Sequence, residues 1–447
     1  MAFRAGLRPL TDPGDVPGAA AAGIAASSFG LGCAPIGNLF TPVAEADAEA
    51  TVGRALERGI RFFDTAPHYG EGVSELRLGA ALAGVDRDSV VVATKVGRGI
   101  VDADGAPVPS GGTGGPGGTT VGDLSRDGVL RSLEGSLARL GTDRVDLLYL
   151  HDPADVDEAL RGALPAMLEL RDQGVVRAVG VGMGRNAPVA RLVREAAGAL
   201  DVVMPAGRVT LIDRTALDDL LPAARERGVG GVAAGVYNSG VLADPVAAPF
   251  FDYHPASPEQ VDRALRMAAV CHREGIELPT AAVRWPLRVP GVEAVVVGAR
   301  TPAEVDVFTD AADAVVPDRL WPDLDAIASP TMQLRTFGGL GTCATACSAG
   351  SWTRTCTCGT RRRRGSRGSG TAWDCLRGSC PTTWPAPSRR RRGPCAPRWP
   401  CRPRTRRARR AGSRGRPPRT ARCPGRSCCS TTPAPTTTGP GPAWRRR

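Results

Sequence analysis

The stretch Arg61-Phe62-Phe63-Asp64-Thr65-Ala66-Pro67-His68-Tyr69-Gly70 is a short apolar run that stops at an acid and gives way to polar and aromatic residues before a glycine. A run of this length, bounded by turn residues, is what a buried parallel strand leaves in a sequence. Two later runs end the same way, 90–95 at Lys95 and 145–151 at His151-Asp152-Pro153. If the three strands are parallel, Asp64, Tyr69, Lys95 and His151 all gather at one end of the sheet.

Working outward, strand-like runs are expected at 28–33, 61–64, 90–95, 145–151, 178–182, 202–205, 231–236 and 294–297. They alternate with helical patterns at 47–58, 73–83, 127–140, 157–172, 188–197, 215–227, 258–274 and 302–312. Several of these helices open near Asp, Thr or Pro and close near Gly59, Gly141, Gly174 or Gly228, which is cap chemistry. Leu130, Leu133, Leu137 and Leu140 recur at spacings of three and four, an apolar stripe suited to a sheet face. Strand and helix in alternation predict a parallel sheet with crossover helices. Eight such units point to an α/β fold of the (β/α)8 TIM barrel type, with an open doubly wound sheet as the alternative. Residues 97–122, rich in Gly, Pro and Thr, read as a long loop after the third strand, over the end of a barrel where active sites sit.

Charge divides the 447-residue chain in two. The formal net charge is +12, yet residues 331–447 hold 27 arginines and one acid, Asp374, which leaves residues 1–330 at −14. The body is therefore acidic and the basic tail is separate, so the domain reading is an N-terminal segment 1–27, a barrel 28–330 and a low-complexity tail 331–447. The tail is poor in aliphatics and cannot bury a core. Its composition is that of GC-rich DNA translated out of frame. Runs such as Arg361–Arg364 offer guanidinium groups to phosphate, which keeps a nucleic-acid-associated protein as an alternative reading, although no nucleic-acid partner is expected. Only Cys33 and Cys271 of 13 cysteines lie in the body. That fits a reducing cytoplasm. No apolar run is long enough to span a bilayer; a lipoprotein-like reading of the stretch ending at Cys33 loses to a first barrel strand. No metal site is expected from His68, His254 and His272, which lack ligand spacing, or from the tail cysteines, which lack a repeated pair motif. Trp285 reads as packing.

A tyrosine beside a lysine is a usable acid/base pair, because an ammonium favours phenolate and draws the phenol down from about 10. A buried Lys95 needs a counter-charge, for which Asp64 is the candidate, and His151 is placed to hydrogen-bond a substrate oxygen. Lys95 is also the only lysine among 57 basic residues, which suggests that a compact ammonium is required there. The plainer account is a lysine that falls at a strand end by chance.

In order and context, Asp64, Tyr69, Lys95 and His151 resemble the Asp, Tyr, Lys and His tetrad of the aldo-keto reductase superfamily. The flanking Gly32-Cys33-Ala34-Pro35-Ile36-Gly37-Asn38, Gly72-Val73-Ser74-Glu75 and Leu78-Gly79 agree. The similarity runs over residues 28–312 and is strongest to the sugar 1-dehydrogenases acting on D-threo-aldoses or L-fucose. It implies a TIM barrel, an NADP or NAD cofactor held without a Rossmann fold, and a small carbonyl or sugar substrate; the oligomeric state stays open. Cofactor contacts implied by the resemblance fall on Gly32, Cys33 and Asp64, on Gly182 and Met183, on Tyr237, Asn238, Ser239, Gly240 and Leu242 for the pyrophosphate, and on Gly298, Arg300 and Glu304 for the adenosine end. Arg300 is the candidate partner of a 2′-phosphate. Three positions depart from the family pattern: Gly182-Met183 stand for its Ser-Asn pair, Ala206 for its Gln and Phe308 for its Asn. The family's C-terminal loop, which closes over substrate, falls near the start of the basic tail. A non-catalytic nicotinamide-binding protein of the same fold is the remaining alternative.

Overall fold

The computed structural model describes residues 7–9, 25–39, 41–196 and 198–328. The tail readings and most of the N-terminal segment lie outside them. Eight parallel strands close into a barrel: β1 (Phe29–Gly32), β2 (Phe62–Asp64), β3 (Val91–Val96), β4 (Val145–His151), β5 (Val176–Met183), β6 (Val202–Pro205), β7 (Gly230–Ala234) and β8 (Val292–Gly298). Each pairs with its neighbours in sequence, and β8 closes on β1 through Val295↔Phe29 to Gly298↔Gly32. The open doubly wound sheet is thereby excluded.

The period-two alternation of a strand sorts the apolar residues into two layers. Phe62, Val91, Ala93, Leu147, Tyr149, Ala178, Val202, Met204, Val232, Ala294 and Val296 fill the interior. Their neighbours Phe63, Val92, Leu148, Leu150, Val179, Val181 and Val203 point outward under the helices. The interior is packed solid, as barrels of this kind are. At Gly30 a Cβ would lie 2.7 Å from Phe62 Cδ1, so the bare backbone of β1 is what lets the Phe62 ring occupy the barrel axis.

The helices pack on this outer layer. Helix α1 (Glu45–Glu57) follows β1, α2 (Val73–Ala81) follows β2 and α3 (Arg126–Leu140) follows β3. Ser125 caps α3 by accepting from Gly128 N at 3.0 Å, and Gly141 ends it in the left-handed conformation. Between α2 and α3 the buried Arg139 guanidinium meets Glu75 at 2.7 Å, and Glu75 also accepts from Thr94 Oγ1 at 2.6 Å.

Four features differ from the sequence expectation. The ends of the 97–122 loop zip into an antiparallel hairpin, Arg98–Val101 with Thr119–Gly122. The 157–172 helix contains a π turn at Ala159–Ala163 before Leu164–Asp172. Pro165 has no N–H to give the Arg161 carbonyl, and the wider turn accommodates this. The 215–227 helix is a 3-10 turn, Thr215–Leu217, followed by Leu220–Glu226. Two further helices, Leu278–Arg284 and Leu320–Ala328, lie outside the helical patterns expected from the sequence. Among the described residues no helix is long and apolar enough to cross a membrane.

Candidate active site

The alternation that fills the barrel also builds the site. Continuing the inward series 62, 91–93 and 147–149 by one more step reaches Asp64, Lys95 and His151, the last inward positions of β2, β3 and β4. Register staggers them in regular steps: Asp64 pairs with Ala93, two residues before Lys95, and Lys95 pairs with Tyr149, two residues before His151. Three polar residues thus converge at the C-terminal mouth because each is the final inward side chain of its strand.

Lys95 is buried, with its Nζ 2.8 and 2.7 Å from the two Asp64 carboxylate oxygens and 2.9 Å from the Thr65 carbonyl. Those three contacts use all three ammonium protons. Tyr69 stands over the pair, its ring centroid 4.8 Å from Nζ. The turn that carries it is tied down from several sides. Tyr69 N donates to Ala66 O at 3.1 Å, Ser74 N donates to Tyr69 O at 3.1 Å, and Ser74 Oγ donates to Cys33 O at 2.7 Å. Gly70 has φ 64°, and a Cβ there would sit 2.1 Å from Gly37 O. Gly70→Ala is therefore expected to cost about 1–3 kcal/mol of stability from strain and overlap, read as a lowered urea midpoint; an unchanged midpoint would show that this turn does not lock Tyr69.

His151 meets Tyr69 edge-on, with ring centroids 5.9 Å apart, and the His68 ring lies at the same distance from His151. His68 Nδ1 shares a hydrogen bond with Thr120 Oγ1 at 2.7 Å, which ties the 98–122 hairpin to the rim. Burial, then the positive charges of Lys95 and Arg98, hold His151 well below the usual imidazole range, so it is neutral at physiological pH. Burial, reinforced first by the Asp64 carboxylate, holds the Tyr69 phenol well above its ordinary value. This reverses the expectation that Lys95 draws the phenol down. The ammonium is neutralised by Asp64 and has no proton left for the phenol oxygen, so desolvation wins.

The remaining sequence candidates separate into groups. Gly182 lies on the inner face, where a Cβ would come within 3.9 Å of Lys95 Cε. Gly32 pairs with both Asp64 and Gly298 at the rim. The side chains of Cys33, Met183 and Leu242 are buried in the outer core, so any cofactor contact from these three is through main chain. Burial also pushes the Cys33 thiol far up, which leaves it inert. Tyr237, Asn238, Ser239 and Gly240 form the turn after β7, with φ values of 46°, 64° and 131° at the last three. Asn238 Nδ2 donates to Gly207 O at 3.0 Å, while Asn238 Oδ1 and the Tyr237 hydroxyl are buried with no hydrogen-bond partner. At the start of the helix Pro302–Asp313, Glu304 accepts from Arg300 N at 2.8 Å and from Arg300 Nη2 at 2.6 Å.

Sequence reasoning missed Arg98, Asp152, Arg208 and Tyr253. Asp252 and Tyr253, both at positive φ (49° and 64°), make the turn of a short hairpin, Phe250–Phe251 with His254–Pro255. Arg208 fixes it by donating to Asp252 at 2.6 Å and to Gly184 O at 2.6 Å, and Ser239 Oγ accepts from Tyr253 N at 3.0 Å. No glycine or asparagine marks that turn, so the sequence carries no signal for it.

The aldo/keto reductase family pattern matches residues 28–329. D-threo-aldose 1-dehydrogenase of a Pseudomonas species is 42% identical over 318 residues, covering 69% of this chain and 96% of its own. Pyridoxal 4-dehydrogenase of Microbacterium luteolum is 35% identical over 324 residues, covering 68% and 94%. Among solved structures, the glycerol dehydrogenase AKR11B4 from Gluconobacter oxydans superposes with a TM-score of 0.57 at 26% identity, over 72% of this chain and 94% of that one. The chain belongs to the aldo/keto reductase family. It is an oxidoreductase, of a family that binds nicotinamide nucleotides.

Proposed function

We propose that this enzyme oxidises an aldose at C1, or reduces the corresponding carbonyl, with Tyr69 as the general acid/base. The observation that carries the reading is Tyr69 poised above the saturated Asp64–Lys95 pair with a neutral His151 edge-on beside it. A neutral imidazole donates a hydrogen bond to a carbonyl or hydroxyl oxygen and so orients it. Tyr69 then passes its proton to that oxygen, or takes one from it. Lys95, within 5 Å of the ring, offsets the negative charge Tyr69 acquires when it gives the proton up, and Asp64 keeps the ammonium in place. The 42% identity to a D-threo-aldose dehydrogenase supports an aldose as the substrate class.

The residues present fit a nicotinamide nucleotide. The orphaned Tyr237 hydroxyl and Asn238 Oδ1 are buried acceptors and donors in search of a polar ligand, and the turn that carries them leaves successive positive-φ residues of the kind that cradle phosphate. Such a cofactor, when bound, supplies or accepts the hydride. Tyr237 to Gly240, with Gly182, Gly32 and the Gly298–Glu304 segment, are proposed to hold it.

Of the two nucleotides, NAD is the better fit. The Glu304 carboxylate already occupies the Arg300 main-chain N–H and guanidinium, so a 2′-phosphate would meet a like charge there. Glu304→Gln is expected to raise kcat/KM with NADP relative to NAD by about tenfold, since like-charge juxtaposition is costly. An unaltered ratio would remove Glu304 from cofactor choice. The assay that tests the function as a whole follows nicotinamide absorbance over a sugar panel with each cofactor; no turnover of any aldose would overturn the substrate class.

A further inference from the structure

Two charged side chains on the rim belong to none of the roles above. Arg98 opens the hairpin three residues after Lys95, and Asp152 follows His151 directly. Asp152 Oδ2 lies 3.8 Å from Arg98 Nη2 and 3.8 Å from His151 Nε2. At that distance neither contact is a hydrogen bond. Three other charged pairs at this end of the barrel close tightly: Lys95–Asp64 at 2.7 Å, Arg208–Asp252 at 2.6 Å and Arg300–Glu304 at 2.6 Å. Arg98 and Asp152 instead face each other with the hydrogen-bonding capacity of both side chains in reserve.

Stability does not account for this arrangement. The side chains are 29% and 40% exposed, a range in which an ion pair contributes little. Asp152 is moreover held at φ 45°, a strained value for a residue with a side chain, and its N–H is fixed on Gly182 O at 3.0 Å. A strained, anchored backbone that aims a carboxylate at the site mouth is the signature of a functional position. Both charges act on the site: Arg98 helps to lower His151, and Asp152 helps to raise Tyr69.

The geometry points to Arg98 and Asp152 as the specificity-determining pair of this enzyme, reading a vicinal diol next to the reacting carbon of a polyhydroxylated substrate. One hydroxyl of the diol donates to the Asp152 carboxylate, and its neighbour's oxygen accepts from the Arg98 guanidinium. Because both side chains border His151, the residue proposed to orient the reacting oxygen, the diol they read is the one adjoining that carbon. The inference rests on the aldose reading of the previous section and adds which residues select the sugar.

The test uses the full-length protein, and measures kcat and KM for oxidation of a D-threo-configured aldose and of 2-hydroxytetrahydropyran, the same ring hemiacetal without neighbouring hydroxyls. A site built to hydrogen-bond a hydroxyl discriminates strongly against the analogue that lacks it. Arg98→Met and Asp152→Asn are each expected to lose about 10- to 100-fold in kcat/KM on the aldose beyond whatever they lose on 2-hydroxytetrahydropyran, chiefly through KM. The double variant should lose little more than either single, because the two residues act on one diol. Arg98→Lys, which keeps the charge, should recover part of the loss. Equal fractional losses on both substrates, or none, overturn the inference. The two readings fail separately: a wild-type enzyme that oxidises the aldose while the variants keep its substrate ratio sinks the diol subsite alone. One that oxidises 2-hydroxytetrahydropyran but no aldose sinks the substrate class and this proposal with it.

Discussion

Tyr69→Phe is expected to lower kcat by about 10³-fold or more, within the range a positioned general acid/base contributes at its upper end, while nicotinamide nucleotide binding measured by fluorescence titration changes little. The substitution removes one oxygen and keeps the ring over Lys95, so the packing that fixes the Asp64–Lys95 pair survives. The pH dependence sharpens the test. Burial and Asp64 keep the phenol protonated well past its ordinary value. Carbonyl reduction, which consumes the proton, should therefore stay flat from pH 6 to 9. Oxidation needs the deprotonated form and should climb with pH across the same window, by up to a factor of ten per unit when that single proton limits the rate. In Tyr69→Phe the climb should vanish. Substantial residual turnover with the wild-type pH profile would remove Tyr69 from the reaction.

Lys95→Met should damage both activity and folding. Neither Lys95 nor Asp64 has appreciable access to water, and removing one partner leaves the other as an uncompensated buried charge. Such losses cost about 3–5 kcal/mol, a large share of the marginal stability of a typical domain. The measurements are urea unfolding and steady-state kinetics, with Lys95→Met, Asp64→Asn double replacement as the control. If the pair matters for stability mainly through its unpaired remnant, the double variant regains much of the lost stability yet stays inactive. A double variant as unstable as the single would mean that the pair itself holds the mouth of the barrel together.

The fold was legible because two periodicities agreed with each other. Runs such as 145–151 read as strands by length and apolar content, and the Leu130 to Leu140 stripe reads as a helix; together they point to a barrel or an open doubly wound sheet, and the pairing of β8 with β1 decides between the two. What escaped was local geometry without a compositional mark. The Asp252–Tyr253 turn forces two ordinary residues to positive φ and is held there by Arg208 and Ser239, partners distant in sequence. The hairpin across 98–122 is paired by backbone hydrogen bonds through a stretch whose glycines and prolines read as loop. Asp64, Tyr69, Lys95 and His151 were visible as a constellation because strand ends concentrate them. Their electrostatics were not: proximity of an ammonium suggested a depressed phenol, whereas the exact satisfaction of its three protons by Asp64 and Thr65 decides the opposite sign. Arg98 and Asp152 carry no distinguishing mark in the sequence, since single charges beside a motif are common in any sequence.

Closure of β8 onto β1 through Val295↔Phe29 to Gly298↔Gly32 has a consequence for synthesis. The first strand made is the last to find its second neighbour, and it waits for nearly 270 residues to be translated, on the order of ten seconds to a minute at ordinary elongation rates. During that interval both edges of the nascent sheet carry unpaired amides and carbonyls, and the inward faces of Asp64 and Lys95 lie open to water. A translational pause placed before residue 292 should therefore raise the demand for chaperones more than one placed well after residue 298.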